Sequence, residues 1–218
     1  MKYYPFFFMA IFLMSCSNER VLQLPEIQGA EVTEVLDVSP AYLFYDESQP
    51  DSTLLNRKNL ISTTNWLVNV DRRLTLKQAI PHIKYMQDKK RNAKMHKNEN
   101  AKNFYTCNDT TIENLGFVEF TNTFYFDSPP TLEAEKTTVI ALKVNSLEDI
   151  SINSSLNANI SNFRNVDLNS IHSIKQVLKD NLKLQLHISD KITFQDYITL
   201  KQKLNPIKSS ISPNEYIY

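Results

Sequence analysis

Polar and apolar positions alternate in several distinct rhythms along this chain, and each change of rhythm predicts an element. From Tyr3 to Met14 every position is apolar or aromatic, preceded by Lys2 and followed at once by Ser15-Cys16-Ser17-Asn18-Glu19-Arg20. A membrane-spanning helix needs about 20 apolar residues, so this run is too short to span and has the length and flanks of a secretory signal. Residues 17–30 hold Pro25 and Gly29 among polar side chains without a period, which predicts a tether. Residues 41–45 (Ala-Tyr-Leu-Phe-Tyr) predict a strand, closed by a turn-rich stretch over 46–51. A second strand is expected between Leu60 and Val70, with Trp66, Val68 and Val70 on one face. Thr75-Leu76-Lys77-Gln78 has capping-box spacing, and Leu76, Ile80, Ile83 and Met86 or Gln87 follow at near-helical intervals. Pro81 either bends the first turn of that helix or marks its true start. Another strand is expected over 104–106, then a turn over 108–111, then one extended aromatic stretch over 115–126.

Asp127-Ser128-Pro129-Pro130-Thr131 breaks all periodicity and places a domain boundary there. Beyond it, residues 138–144 and 149–156 predict strands. Asp167 is a fitting N-cap for a helix with Ile171, Ile174 and Leu178 on one stripe. Leu184, Leu186 and Ile188 alternate with Gln185 and His187 as in a strand with one solvated face. Thr193, with Asp196 three positions on, opens a helix that Pro206 should end, and residues 215–218 close the chain as a short strand. The expected fold class is α+β, with two small mixed-sheet units, the second in the order β-β-α-β-α-β. The division is signal peptide 1–15, lipidated tether 16–37, N-terminal domain 38–126, linker 127–136 and C-terminal domain 137–218. The strand-strand-helix-strand order of the first half loosely echoes the second, so a duplication is an open reading.

Two resemblances add to this. Leu13-Met14-Ser15-Cys16 resembles a bacterial lipobox, in which the cysteine becomes the lipidated first residue of the mature chain. That resemblance implies an acyl (palmitate-type) anchor on Cys16 and a place in the bacterial cell envelope, at the outer membrane facing the periplasm. The alternative is a plain cleaved signal in which Cys16 is incidental. Residues 184–194 (Leu-Gln-Leu-His-Ile-Ser-Asp-Lys-Ile-Thr-Phe), followed by an amphipathic helix and a last strand, resemble the periplasmic domain of the ExbD/TolR biopolymer-transport family over 137–218. Asp190, Lys191 and Phe194 sit where the family places a turn and the aromatic that opens a helix. The family's N-terminal membrane helix with its proton-coupling Asp has no counterpart here, so the resemblance implies the fold without the motor.

Composition narrows the chemistry. The 218 residues carry 24 basic and 24 acidic side chains, so no global field steers the chain toward nucleic acid. Gly29 and Gly116 are the only glycines, too few for a phosphate-cradling loop. With Cys16 assigned to lipid, Cys107 lacks a disulfide partner and is expected to be buried. His82, His96, His172 and His187 show no metal-ligand spacing, and His82 with Met86 is better explained as ordinary helix surface and core. No cofactor or metal is expected, and no catalytic residue is assigned. Lys89, Lys90, Arg91, Lys94 and Lys97 form a basic patch that would meet an acidic face or an anionic envelope polymer. The expected function is therefore a non-catalytic envelope lipoprotein that binds a protein or peptidoglycan partner, linked to an ExbD/TolR-type system. The rival expectation is an envelope hydrolase built on Cys107 with Asp109, or on Asp71 with Arg72 and Arg73.

Overall fold

The computed structural model describes residues 20–93, 98–129, 139–154, 163–164, 166–168 and 183–218. The stretch expected to be a signal and lipobox, Lys94, His96, Lys97, His172 and the body of the helix expected after Asp167 lie outside the described residues. The fold is α+β and rests on two mixed sheets.

In the first sheet, β2 (Val38–Tyr45), β4 (Asn65–Val70) and β5 (Asn103–Asp109) run parallel. The short β3 (Thr53–Asn56) and β6 (Asn114–Glu119) flank them antiparallel. Ser39, Ala41 and Leu43 of β2, and Trp66, Val68 and Val70 of β4, turn to the covered face, which is the period-2 pattern of a sheet buried on one side. β3 falls just after a stretch expected to be only a turn. Its four residues are too few to show alternation, and pairing with β2 makes them a strand. Helix α1 (Leu76–Arg91) begins at the capping box: the Gln78 N–H donates to Thr75 Oγ1 at 3.3 Å and the Thr75 N–H to Gln78 Oε1 at 2.9 Å. Pro81 lies inside the helix on its solvent face, so it costs one backbone bond without disturbing the buried stripe of Leu76, Ala79, Ile80, Ile83 and Met86.

The aromatic stretch expected as one strand is two, and they belong to different sheets. β6 ends at Glu119, the chain turns through 120–123, and β7 (Phe124–Phe126) pairs in parallel with β12 (Ile211–Ile217) of the second sheet. That sheet has the order β10-β9-β8-β11-β12-β7, with β8 (Val139–Val144), β9 (Ile150–Ser154), β10 (Phe163–Arg164) and β11 (Lys183–Ile188). Helix α2 (Phe194–Leu204) starts at Thr193, whose Oγ1 accepts from the Asp196 N–H at 3.1 Å, and runs into a 3-10 turn over Asn205–Ser210 that contains Pro206.

The two units repeat one topology. The order β3-β2-β4-β5 in the first matches β9-β8-β11-β12 in the second, and in each a helix follows the third of these strands in sequence. The helix starts meet back to back, with Thr75 and Thr193 forming an antiparallel bridge. Leu76 and Lys77 donate their N–H groups to the carbonyls of Ile192 (3.0 Å) and Asp190 (2.8 Å). In return Phe194 and Gln195 donate to Leu74 (2.6 Å) and Arg72 (3.2 Å). The opening N–H groups of a helix lack partners within it, so each unit here caps the other's helix.

The segment expected to be a tether is docked between the units. β1 (Glu26–Ile27) pairs in parallel with the end of β5, and Ile27 is buried. Gly116 makes this approach possible: a Cβ there would lie 2.6 Å from Ala30 Cβ and 2.8 Å from Ile27 Cδ1. Composition misled because the segment is held mainly through its own backbone groups, which bond to both the backbone and the side chains of the body.

Candidate functional site: a cleft between the sheets

A cleft of about 490 Å³ opens where β6, the 120–123 turn, the docked 29–32 segment, the end of α2 and the start of β12 converge. This is within the range of about 300–1,000 Å³ usual for ligand sites. Its apolar lining comes from Ile27, Val32, Phe117, Leu204 and Ile211. Its acids are already neutralised. Glu31 accepts from Lys208 Nζ at 2.6 Å and Asn205 Nδ2 at 2.7 Å, bonds that hold its carboxyl below the usual range. Glu119 accepts from Lys102 at 2.9 Å.

The third acid, Glu215, lies at the cleft floor, 1% exposed. Lys201 Nζ donates to Glu215 Oε1, and the Tyr197 hydroxyl donates to Oε2 at 2.8 Å. Behind Tyr197 the Tyr125 hydroxyl lies at 3.2 Å, and behind that the Tyr105 hydroxyl at 2.6 Å. Each phenol has one proton, and Tyr197 spends its own on the carboxylate. Tyr125 therefore donates to Tyr197, and Tyr105 to Tyr125. The proton order of the whole row is fixed by Glu215, and such chains polarise one another cooperatively. The row joins both sheets: Tyr105 is on β5, Tyr125 on β7, Tyr197 on α2 and Glu215 on β12. Tyr105 is also stacked on Phe120 at 3.8 Å and meets Phe194 edge-on at 5.1 Å.

The residues singled out from sequence lie elsewhere, and most are committed to holding the fold. Lys90 points inward rather than to solvent, 7% exposed, with Nζ donating to the carbonyls of Thr64 (3.2 Å) and Lys102 (3.3 Å) and to Asn103 Oδ1 (2.8 Å). Arg91 donates to the carbonyls of Thr121 and Thr123 and lies over Phe124. Of the patch residues on α1, Lys89 is exposed. Cys107 is fully buried, and burial first, then Asp109, pushes its thiol up to about 12. Asp109 accepts from the N–H groups of Ala30 (2.6 Å), Thr111 (2.9 Å) and Gly29 (3.2 Å), and Gly29 adopts the left-handed φ of 68° that this small anion nest needs. Burial alone would raise the Asp71 carboxyl. The bonds from Arg73 Nε and Nη2 and from the Arg73 and Gln23 amides outweigh it and leave the carboxyl lowered. Arg72 pairs with Glu26. His82 Nε2 lies 3.0 Å from Thr53 Oγ1, whereas Met86 is in the core. His187 sits between Gln185 Oε1 (2.8 Å) and the Tyr218 hydroxyl (2.9 Å). Among the described residues no three His, Cys, Asp or Glu side chains converge as a metal site.

The cleft and its tyrosine row escaped the sequence reading because their parts come from segments far apart. One signal was present: Glu215 shares the strand face of Ile217, where a carboxylate is out of place unless it is paired. Comparison of the chain with protein-family models, with characterised proteins and with solved structures returns no match.

Proposed function

We propose that this chain is a lipid-anchored protein of the bacterial cell envelope that acts by binding a protein or cell-wall partner in the cleft between its sheets. The cleft is the observation that carries the reading: it is concave, mostly apolar, and lined by acids whose charges are already balanced. The groups an envelope hydrolase would need are spent on structure. A nucleophile needs a base within hydrogen-bond reach and access to substrate. Cys107 is buried with a raised thiol, while Asp109 and Asp71 each accept several structural bonds. The anchor rests on the lipobox-like ending at Cys16, and the link to an ExbD/TolR-type system rests on residues 184–194.

Two variants test the reading. Cys16→Ala should move the protein from the membrane fraction to the soluble fraction or stall its processing. Asn122→Trp, at an exposed position on the cleft rim, should leave folding intact and remove the partner that the wild type captures from its own envelope. An unchanged membrane fraction for the first variant, or an unchanged partner set for the second, overturns the corresponding half of the proposal.

A further inference from the structure

We infer that the ligand of the cleft is an extended, uncharged peptide segment that adds as a strand to the outer edge of β6. The inference rests on the binding role given to the cleft above and names its ligand class. Among the described residues β5 is the one strand that β6 pairs with, and the alternation of that ladder decides which groups face outward. The Phe120 N–H donates to the Asn103 carbonyl at 2.9 Å, toward β5. The backbone groups of Phe117 and Glu119 therefore point the other way, into the cleft. The Phe117 N–H is already taken in the manner proposed for the rest of the edge. It donates to the Val32 carbonyl at 2.9 Å, and Val32 and Phe117 form an antiparallel bridge. The docked segment leaves the edge after that one residue. Among the described residues no backbone group pairs with the outward N–H and carbonyl of Glu119, two residues further along the strand.

An exposed edge is usually blunted by an unpaired charge or a proline. Here the Glu119 carboxylate is held by Lys102, and the proline stands on the opposite wall of the cleft, where Pro213 of β12 brings no donor. β6 is thus the wall equipped for main-chain pairing. A strand beside it would continue the pairing begun by Val32, placing alternate side chains on Ile211 and Leu204. Because Glu31, Glu119 and Glu215 are each matched by a lysine, the cleft repays no charge on the ligand and selects uncharged side chains. Main-chain bonds then supply affinity and the alternating pockets supply selectivity.

The probe is a displayed library of random heptapeptides, selected against the 15N-labelled Cys16→Ala protein in its full mature length. Selected peptides should carry alternating apolar residues, shift the Glu119 and Thr121 amide resonances, and lose binding when N-methylated along one edge and not the other. Glu119→Pro removes the outward N–H without touching a bond to β5 and should weaken binding about tenfold. Methylation on either edge being harmless, shifts confined to other surfaces, self-association through β6 without peptide, or a library that yields no binder would each overturn the inference. In the last case, a partner still captured from the envelope and lost in Asn122→Trp would leave the binding role standing and remove only the peptide.

Discussion

Lys90 illustrates how a residue expected on the surface can set the protein's response to pH. It lies beneath the Trp66 ring, 4.6 Å from the centroid, and burial lowers it to about 8. Its unfolded value is about 10.4, so between these two the unfolded chain binds more protons and stability rises with pH. The buried phenols act in the opposite sense. Burial first, with the charge of Glu215 adding to it, holds Tyr105, Tyr125 and Tyr197 neutral well beyond the ordinary range. Their unfolded values are about 10, so the unfolded chain releases those protons first and stability falls above that pH. Urea denaturation across the alkaline range should therefore show a climb from about pH 8, a maximum near pH 10 and a fall beyond it. Lys90→Met should lose the climb, on the order of 1–2 kcal/mol, and keep the fall. A wild-type curve that is level from pH 8 to pH 10 would show that the three acceptors around Nζ fully compensate its burial.

Among the elements, α2 and β12 carry the interaction on which the cleft floor depends. Glu215 is 1% exposed and the Lys201 side chain 18%. Removing one partner of such a pair strands the other, at a cost of about 3–5 kcal/mol, whereas removing both is far cheaper. Glu215→Gln and Lys201→Met should each destabilise by about 3 kcal/mol, and the double variant by clearly less than the sum. Additive losses in chemical denaturation would mean that the two side chains do not depend on each other. The helices themselves were legible because their signals are local: Thr75 with Gln78, Thr193 with Asp196, and an apolar stripe behind each. β2, β4 and β11 were legible from alternation over several residues. β1, β3 and β7 are two to four residues long and become strands only through partners distant in sequence. The same reason hid the cleft, whose walls come from residues 27–32, 117–123 and 201–215.

For the molecule as a whole, the question is whether the two units stand alone. The linker expected over 127–136 would divide the chain into two domains, but three features cross that boundary. β7 precedes the linker and forms the edge of the second sheet beside β12. The first N–H groups of α2 are capped by Leu74 and Arg72, and those of α1 by Ile192 and Asp190. One continuous buried cluster joins Tyr105, Phe120 and Met86 to Phe194, Tyr197 and Leu186. A unit expressed by itself would uncover these aromatics, each worth about 1.5–3 kcal/mol of burial, and leave a helix start uncapped at about 1 kcal/mol. Against a total stability of about 5–15 kcal/mol that loss is decisive. Residues 137–218 alone should therefore give little cooperative unfolding by circular dichroism, and adding residues 123–136 should recover only the β7 edge. Residues 20–128 and 129–218 mixed together should assemble into one folded species. Protease cleavage within the linker should leave two fragments that travel together in gel filtration and separate only in denaturant. A sharp, reversible melting transition for 137–218 alone would show that each unit holds its own core, and that the shared caps and the tyrosine row serve only to fix how the two walls of the cleft face each other.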